Sequence, residues 1–451
     1  MCKIRHFLAI GLLTACMMPS CKSDDEPESA KATYRPAGIN IKNATALINY
    51  SGDGARAVQG DFDHAGLYKL NPDGTIEAIA VTFYVDEDDN IHNNEVTLSV
   101  STTKIINAGK NFIGMSSCQY YDKDGDAFFM HDPMGQSLNT QLIVDKRNDK
   151  IYALDGTTKV DTAQVDIYRM VEENDKSLIL VSSRLNVYRM TFSNNNVDVR
   201  RLNNNRKGIY PENIVPMPDG SVYSSAYALS DINVIYPNGG YDIIGNNCAL
   251  LKNGDILTVS SESTDFPYNT TVKINIGKLN ISQGQPTQII PVAETSFSSN
   301  NFEGFGGGWC ESPSNIIFGP SQYSSSHKYL VMDRKTSSLN VVNLEEHIEL
   351  ASNRMFGDRC WELKLEGTDR PKVLWLNPES MQTGAITVNI PGFDIDSYKT
   401  QEDYEAGKIV LYGTLRADGS NCVASIDLST EKCEIVAAAP SHTTITLTPL
   451  N

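Results

Sequence analysis

The most unusual run of residues in this 451-residue chain is Phe302-Glu303-Gly304-Phe305-Gly306-Gly307-Gly308-Trp309-Cys310. Its glycines let the backbone approach closely or take conformations other residues resist. It has no Gly-Lys-Ser or Gly-Lys-Thr ending, so it is not a phosphate loop. Trp309 offers a flat apolar face suited to stacking on a sugar ring or another small ligand. The same letters also describe a tight crossing with Trp309 in the core. Arg359-Cys360-Trp361 follows about fifty residues later, where a guanidinium beside an indole could clamp a carboxylate through two hydrogen bonds. Trp309, Arg359 and Trp361 are therefore the expected ligand-binding residues, sharing one mouth in a chain with only Trp375 besides.

Metal and acid chemistry has weaker support. Tyr120-Tyr121-Asp122-Lys123-Asp124-Gly125-Asp126 resembles the first half of a calcium loop, with alternating carboxylates around a glycine turn. The closing glutamate of such a loop is missing, and Phe128-Phe129-Met130-His131 stands in its region. A solvated hairpin turn is the competing reading. No cofactor is expected beyond a calcium ion at Asp122, Asp124 and Asp126. The histidines lie in no HExxH motif, no GxSxG serine elbow occurs, and no CxxC pair marks a zinc site. Paired carboxylates for glycoside chemistry remain open, since such pairs form in space and not in sequence.

The formal net charge is −17. Nucleic-acid binding needs clustered Lys and Arg, so this class of partner is excluded. An anionic membrane surface would repel the chain as well.

Lys3 and Arg5 precede the apolar run Phe7 to Met18, which is too short to span a bilayer. Ser20-Cys21-Lys22-Ser23-Asp24-Asp25-Glu26 follows. This beginning resembles the signal of bacterial lipoproteins, more narrowly of Bacteroidota-type surface lipoproteins. The resemblance implies a signal over 1–20, lipid on Cys21, an acidic tether over 21–37 and an outer-membrane, surface-exposed location. Cys16 fits the general lipobox better, after Leu13-Thr14-Ala15, but only Cys21 is followed closely by the acidic tract. Membrane contact is then expected through the lipid alone. The Lys22 to Arg35 stretch has little apolar surface to bury and reads as disordered.

From about residue 38 short β-rich runs recur, each closed by a turn signal. Gly66-Leu67-Tyr68-Lys69-Leu70 leads through Asn71-Pro72-Asp73-Gly74 into Thr75 to Ile79. Met217-Pro218-Asp219-Gly220, Tyr236-Pro237-Asn238-Gly239, Leu251-Lys252-Asn253-Gly254 and Ala417-Asp418-Gly419 repeat the grammar. Asn-Gly and Asp-Gly accept the positive φ of tight hairpins. Leu344 to Met355 and Ser397 to Ala406 are the two expected helices. The rest reads as all-β, one propeller over 38–451 with about seven four-stranded blades, six to eight in range. His442 to Thr448 would pair near Ala44 to Ile48 and close the ring. Cys422 and Cys433 are near enough in sequence to bridge a hairpin, or are small buried apolar residues.

The leading functional expectation is a non-catalytic propeller that binds a glycan, a peptide or an envelope protein. A glycan hydrolase or lyase and a structural scaffold are the rivals. Three or more carboxylates lining a central pocket would favour the enzyme, an aromatic platform the binder, and a filled channel the scaffold.

Overall fold

The computed structural model describes residues 33–451 apart from 52–54, 57–60, 63–64, 88–89, 103, 124–126, 129–139, 154–166, 194–195, 204–208, 265–270, 300–303, 322–325, 366–370, 442 and 451. The signal, Cys21, most of the tether, Asp124 and Asp126 lie outside the described residues.

The turn chemistry acts as read. At Gly74, Gly220, Gly239 and Gly254 the φ is +84°, +86°, +84° and +84°. In each turn the preceding Asp or Asn accepts a backbone amide two residues on, as Asp73 does from Thr75 at 3.0 Å and Asp219 from Ser221 at 2.9 Å. Asn238 and Asn253 repeat the bond to Gly240 and Asp255. These side chains supply the local hydrogen bond that sets the reversal.

Strands so linked make seven sheets of four or more strands among the described residues. Sheet 1 runs Thr444–Pro449, Ala46–Ser51, Gly66–Leu70, Ile76–Ala78. Sheet 2 has eight strands, among them Lys104–Ala108, Phe112–Tyr121, Thr140–Asp145 and Lys150–Ala153. Sheet 3 runs Ile167–Asn174, Ser177–Ser182, Val187–Ser193, Asn196–Arg201. Sheet 4 has seven strands, from Asn213–Pro216 through Val222–Ser225, Ser230–Ile235 and Tyr241–Leu250 to Gln288–Ser298. Sheet 5 runs Trp309–Glu311, Asn315–Phe318, Lys328–Asp333, Leu339–Asn343. Sheet 6 runs Met355–Phe356, Arg359–Lys364, Lys372–Leu376, Thr383–Thr387, and sheet 7 Phe393–Asp403, Lys408–Leu415, Asn421–Asp427, Lys432–Ala439. The units are thus unequal: five have four strands, while sheets 2 and 4 are extended.

Seven apolar clusters join these sheets face to face, 1 with 2, 2 with 3, and onward until 7 meets 1. Strand alternation explains the cycle, because successive side chains point to opposite faces. Leu47 faces sheet 2, while Ala46 and Ile48 face sheet 7. The middle strands are buried on both faces and read as unbroken apolar runs, such as Leu178-Ile179-Leu180-Val181. The Thr444–Pro449 strand pairs antiparallel with Ala46–Ser51 across six residues, so the last strand completes the first sheet. A cycle of sheets closed by its own terminus is a β-propeller.

Three local expectations are corrected. Leu344 to Met355 is an extended segment ending in the 3-10 turn Ser352–Arg354. Leu344, Ile348, Leu350 and Ala351 are buried, but the backbone is held by a side chain: Tyr329 Oη donates to the Ile348 carbonyl at 2.8 Å and accepts from the Ile348 amide at 2.7 Å. Ser397 to Ala406 belongs to the first strand of sheet 7 and the turn after it. The tether ends earlier than expected, because Thr33–Ile39 pairs with Ala80–Glu87.

All six described cysteines are free, and five are buried. Cys422 lies opposite Ala438 and Cys433 opposite Ile426, so no bridge crosses that hairpin.

Candidate functional site

The first strands of several sheets, or the turns beside them, meet around one cavity. The Gly109 amide in sheet 2 donates to Glu405 Oε2 after the first strand of sheet 7, at 3.2 Å. Sheets 2 and 7 do not share a core cluster, since sheet 1 lies between them. The bond reaches past sheet 1, beside a cavity that sheets on both sides of the ring share, which sets it around the axis. The cavity beside it, about 470 Å³, is lined by residues of sheets 2, 3, 4 and 7 and by Asn353 and Arg354 just before sheet 6.

Its walls carry Lys104, Asn107, Tyr168, Arg169, Glu212, Tyr227, Arg354, Glu402, Asp403, Tyr404 and Glu405. The register of Ile167–Asn174 shifts between Ile167 and Arg169. Such a bulge re-aims side chains that would otherwise alternate. It lets the consecutive residues Tyr168 and Arg169 both line the cavity. Tyr168 and Tyr227 are 45% and 38% exposed.

The charges are arranged in partners. Arg354 lies 3.3 Å from Glu349 and 3.9 Å from Glu402, and Tyr404 Oη donates to Glu402. Lys104 Nζ donates to the Tyr168 carbonyl at 3.0 Å and sits 4.5 Å over its ring. Lys146 Nζ donates to Asn107 Oδ1 at 3.2 Å and to the Gly109 carbonyl at 3.1 Å. Two groups stand apart: Arg169 Nε and Glu212 Oε2 are buried without a hydrogen-bond partner.

Burial pushes the carboxyls of Asp403 and Glu405 above the usual range. The Ala406 amide, 2.9 Å from Asp403, and the Arg169 charge oppose the shift at Asp403, while Arg169 and the Gly109 amide oppose it at Glu405. Glu405 is exposed where it lines the cavity, so solvent screening moderates the push. Burial also lowers the Lys146 ammonium, against the attraction of Glu172.

A raised folded-state carboxyl binds its proton more tightly than the unfolded chain does. Its contribution is full below the unfolded value and is lost as pH rises through the folded one. Glu405→Gln keeps an acceptor for Gly109 and removes the charge. Between about pH 4 and neutrality its stability should fall less with rising pH than the parent's. Parallel melting curves of the two proteins over that range would contradict the shift.

The expected ligand residues lie elsewhere. Trp309 is 0% exposed and packs between sheets 4 and 5. Trp361 is 1% exposed, packs between sheets 6 and 7, and donates Nε1 to the Phe356 carbonyl at 3.2 Å. They occupy the first strand of one sheet and the second of the next, and face away from each other; their neighbours Cys310 and Cys360 fill the layer between. No shared mouth exists for a ligand to enter. Arg359 is also committed, 2.8 Å from Glu431 and 3.9 Å over the Trp375 ring. The glycine run is a tight crossing: Gly308 has φ +147°, and a Cβ there would lie 2.0 Å from the Leu350 carbonyl oxygen. Among the described residues no cluster of metal-ligating groups occurs.

Sequence reading missed the axial residues. The available signal was Glu402-Asp403-Tyr404-Glu405, three acids where a strand runs into its hairpin turn.

No family model matches the chain, and no curated protein matches it. Solved structures similar to it include puromycin hydrolase, at 9% identity and TM-score 0.34, covering 74% of this chain and 53% of that one. The chain thus spans about half the length of that protein. Others are the Myceliophteria thermophila Cps50 (Swd1) β-propeller domain, at 10% identity and TM-score 0.30 over 76% of this chain and 100% of that one, and an oligogalacturonate lyase of Vibrio parahaemolyticus, at 10% identity and TM-score 0.31 over 77% and 82%. Likeness this distant says nothing of ligand or chemistry here.

Proposed function

We propose that the chain is a lipid-anchored surface propeller whose axial cavity binds a saccharide without cleaving it. The observation that carries the binding reading is the pair of exposed rings, Tyr168 and Tyr227, set in a cavity whose other walls are mostly polar and charged side chains. A pyranose has apolar faces for such rings and hydroxyls for the carboxylates, amides and guanidinium around them. The anchor rests on the resemblance of residues 1–26 to lipoprotein signals, and mass spectrometry of the mature amino terminus reads it directly.

Tyr227→Ala should weaken binding of any saccharide found on an array by about thirtyfold, the scale of one fully used aromatic contact. The melting temperature should change little, since the ring is exposed. A variant that binds every hit like the parent places the sugar elsewhere.

One observation favours a hydrolase or lyase: four carboxylates, Glu212, Glu402, Asp403 and Glu405, line the cavity, and two are pushed toward the neutral acid. A carboxyl held neutral can donate a proton to a leaving oxygen. Release of shorter oligosaccharides from a bound glycan, lost in Glu405→Gln, would replace the binding reading with the enzymatic one.

A further inference from the structure

We propose that Arg169 is an anion anchor and that the axial ligand is an acidic saccharide whose carboxylate docks on its guanidinium. The inference rests on the saccharide reading of the cavity and narrows it. Arg354, Lys104 and Lys146 each have partners. The Arg169 side chain has no hydrogen bond or ion pair among the described residues, and its Nε is buried without an acceptor.

The acids nearest it in electrostatic effect are held by other donors, Asp403 by the Ala406 amide and Glu405 by the Gly109 amide. They stay within reach of the Arg169 charge, which favours the ionised form of both. A fork of donors without an acceptor matches a carboxylate, which accepts two parallel bonds. The four cavity carboxylates argue against a doubly charged phosphate, since each added charge is repelled. A uronic acid brings a single charge. Its ring hydroxyls can donate to Glu212, whose Oε2 lacks a donor. Its ring face suits Tyr168, which the bulge sets next to Arg169.

The experiment is calorimetric titration of the full chain with short glucuronic acid oligosaccharides, their methyl esters and the equivalent glucose oligosaccharides. The free acids should bind at least tenfold more tightly than the other two. Arg169→Ala should weaken the acids about ten- to a hundredfold, to the level of the neutral sugars, and Arg169→Lys should recover part of the loss. The methyl esters test the charge on the unaltered protein, whatever the variants do to folding. Equal binding of acid, ester and glucose overturns the anchor and leaves a saccharide site standing. If none of the three binds, the anchor and the saccharide site both fall.

Discussion

Trp309→Ala should destabilise the ring by about 3–5 kcal/mol, the usual scale for emptying a tryptophan-sized space in a core. The side chain is fully buried between sheets 4 and 5, packed in one cluster with residues such as Phe318 and Leu330. The neighbouring Gly308 already touches the Leu350 backbone, so the strand has no room to slide into the gap. Trp309→Phe should cost less, for it keeps a ring and removes an indole N–H that has no acceptor. Denaturant unfolding of the three proteins measures the difference. Saccharide titration of folded Trp309→Ala should match the parent, because the indole lies away from the cavity. Parental stability combined with lost binding would restore Trp309 as a ligand residue.

Deletion of residues 441–451 should have an effect of similar or greater size. The deleted strand makes six residue pairs with Ala46–Ser51. It buries Ile445 and Leu447 against sheet 7 and Leu450 against sheet 2. Each such side chain contributes about 1.5–3 kcal/mol on burial, and a domain's whole margin is about 5–15 kcal/mol. Sheet 1 would also lose its first strand and expose an unpaired edge facing the axis. The truncated protein should melt far below the parent, or aggregate, and a synthetic 441–451 peptide should restore part of the loss. An unchanged melting curve would mean that the ring does not depend on its closure.

Much of the fold was legible because it depends on local rules. Asp-Gly and Asn-Gly pairs mark hairpins wherever they fall, since few residues tolerate a φ near +84°. A second turn is equally regular: Asp145, Asp333, Asn377 and Asp427 each accept an amide two residues on. Asp149, Ser337, Met381 and Glu431, four residues further, all take positive φ. These turns join the last two strands of sheets 2, 5, 6 and 7, so they mark the phase of the repeat. Closure was legible too, as an apolar-alternating strand left over at each end of the domain. The two expected helices failed because apolar spacing cannot tell a helix from a buried extended segment. At Ile348 the deciding group was Tyr329, distant in sequence.

The site was not legible, and the reason is physical. Sequence by itself determined residue types, turn positions and strand faces, each set by neighbours a few residues away. Tryptophan beside glycine, and arginine beside tryptophan, carry the same letters whether they line a mouth or fill a layer between sheets. Only the ring decides which edge of each sheet faces the axis, and that brings Arg169, Glu212 and Glu405 to one cavity from three sheets. Only the ring turns Trp309 and Trp361 into opposite layers. Sequence separation carries no trace of that meeting: the bond from Gly109 to Glu405 spans 296 residues.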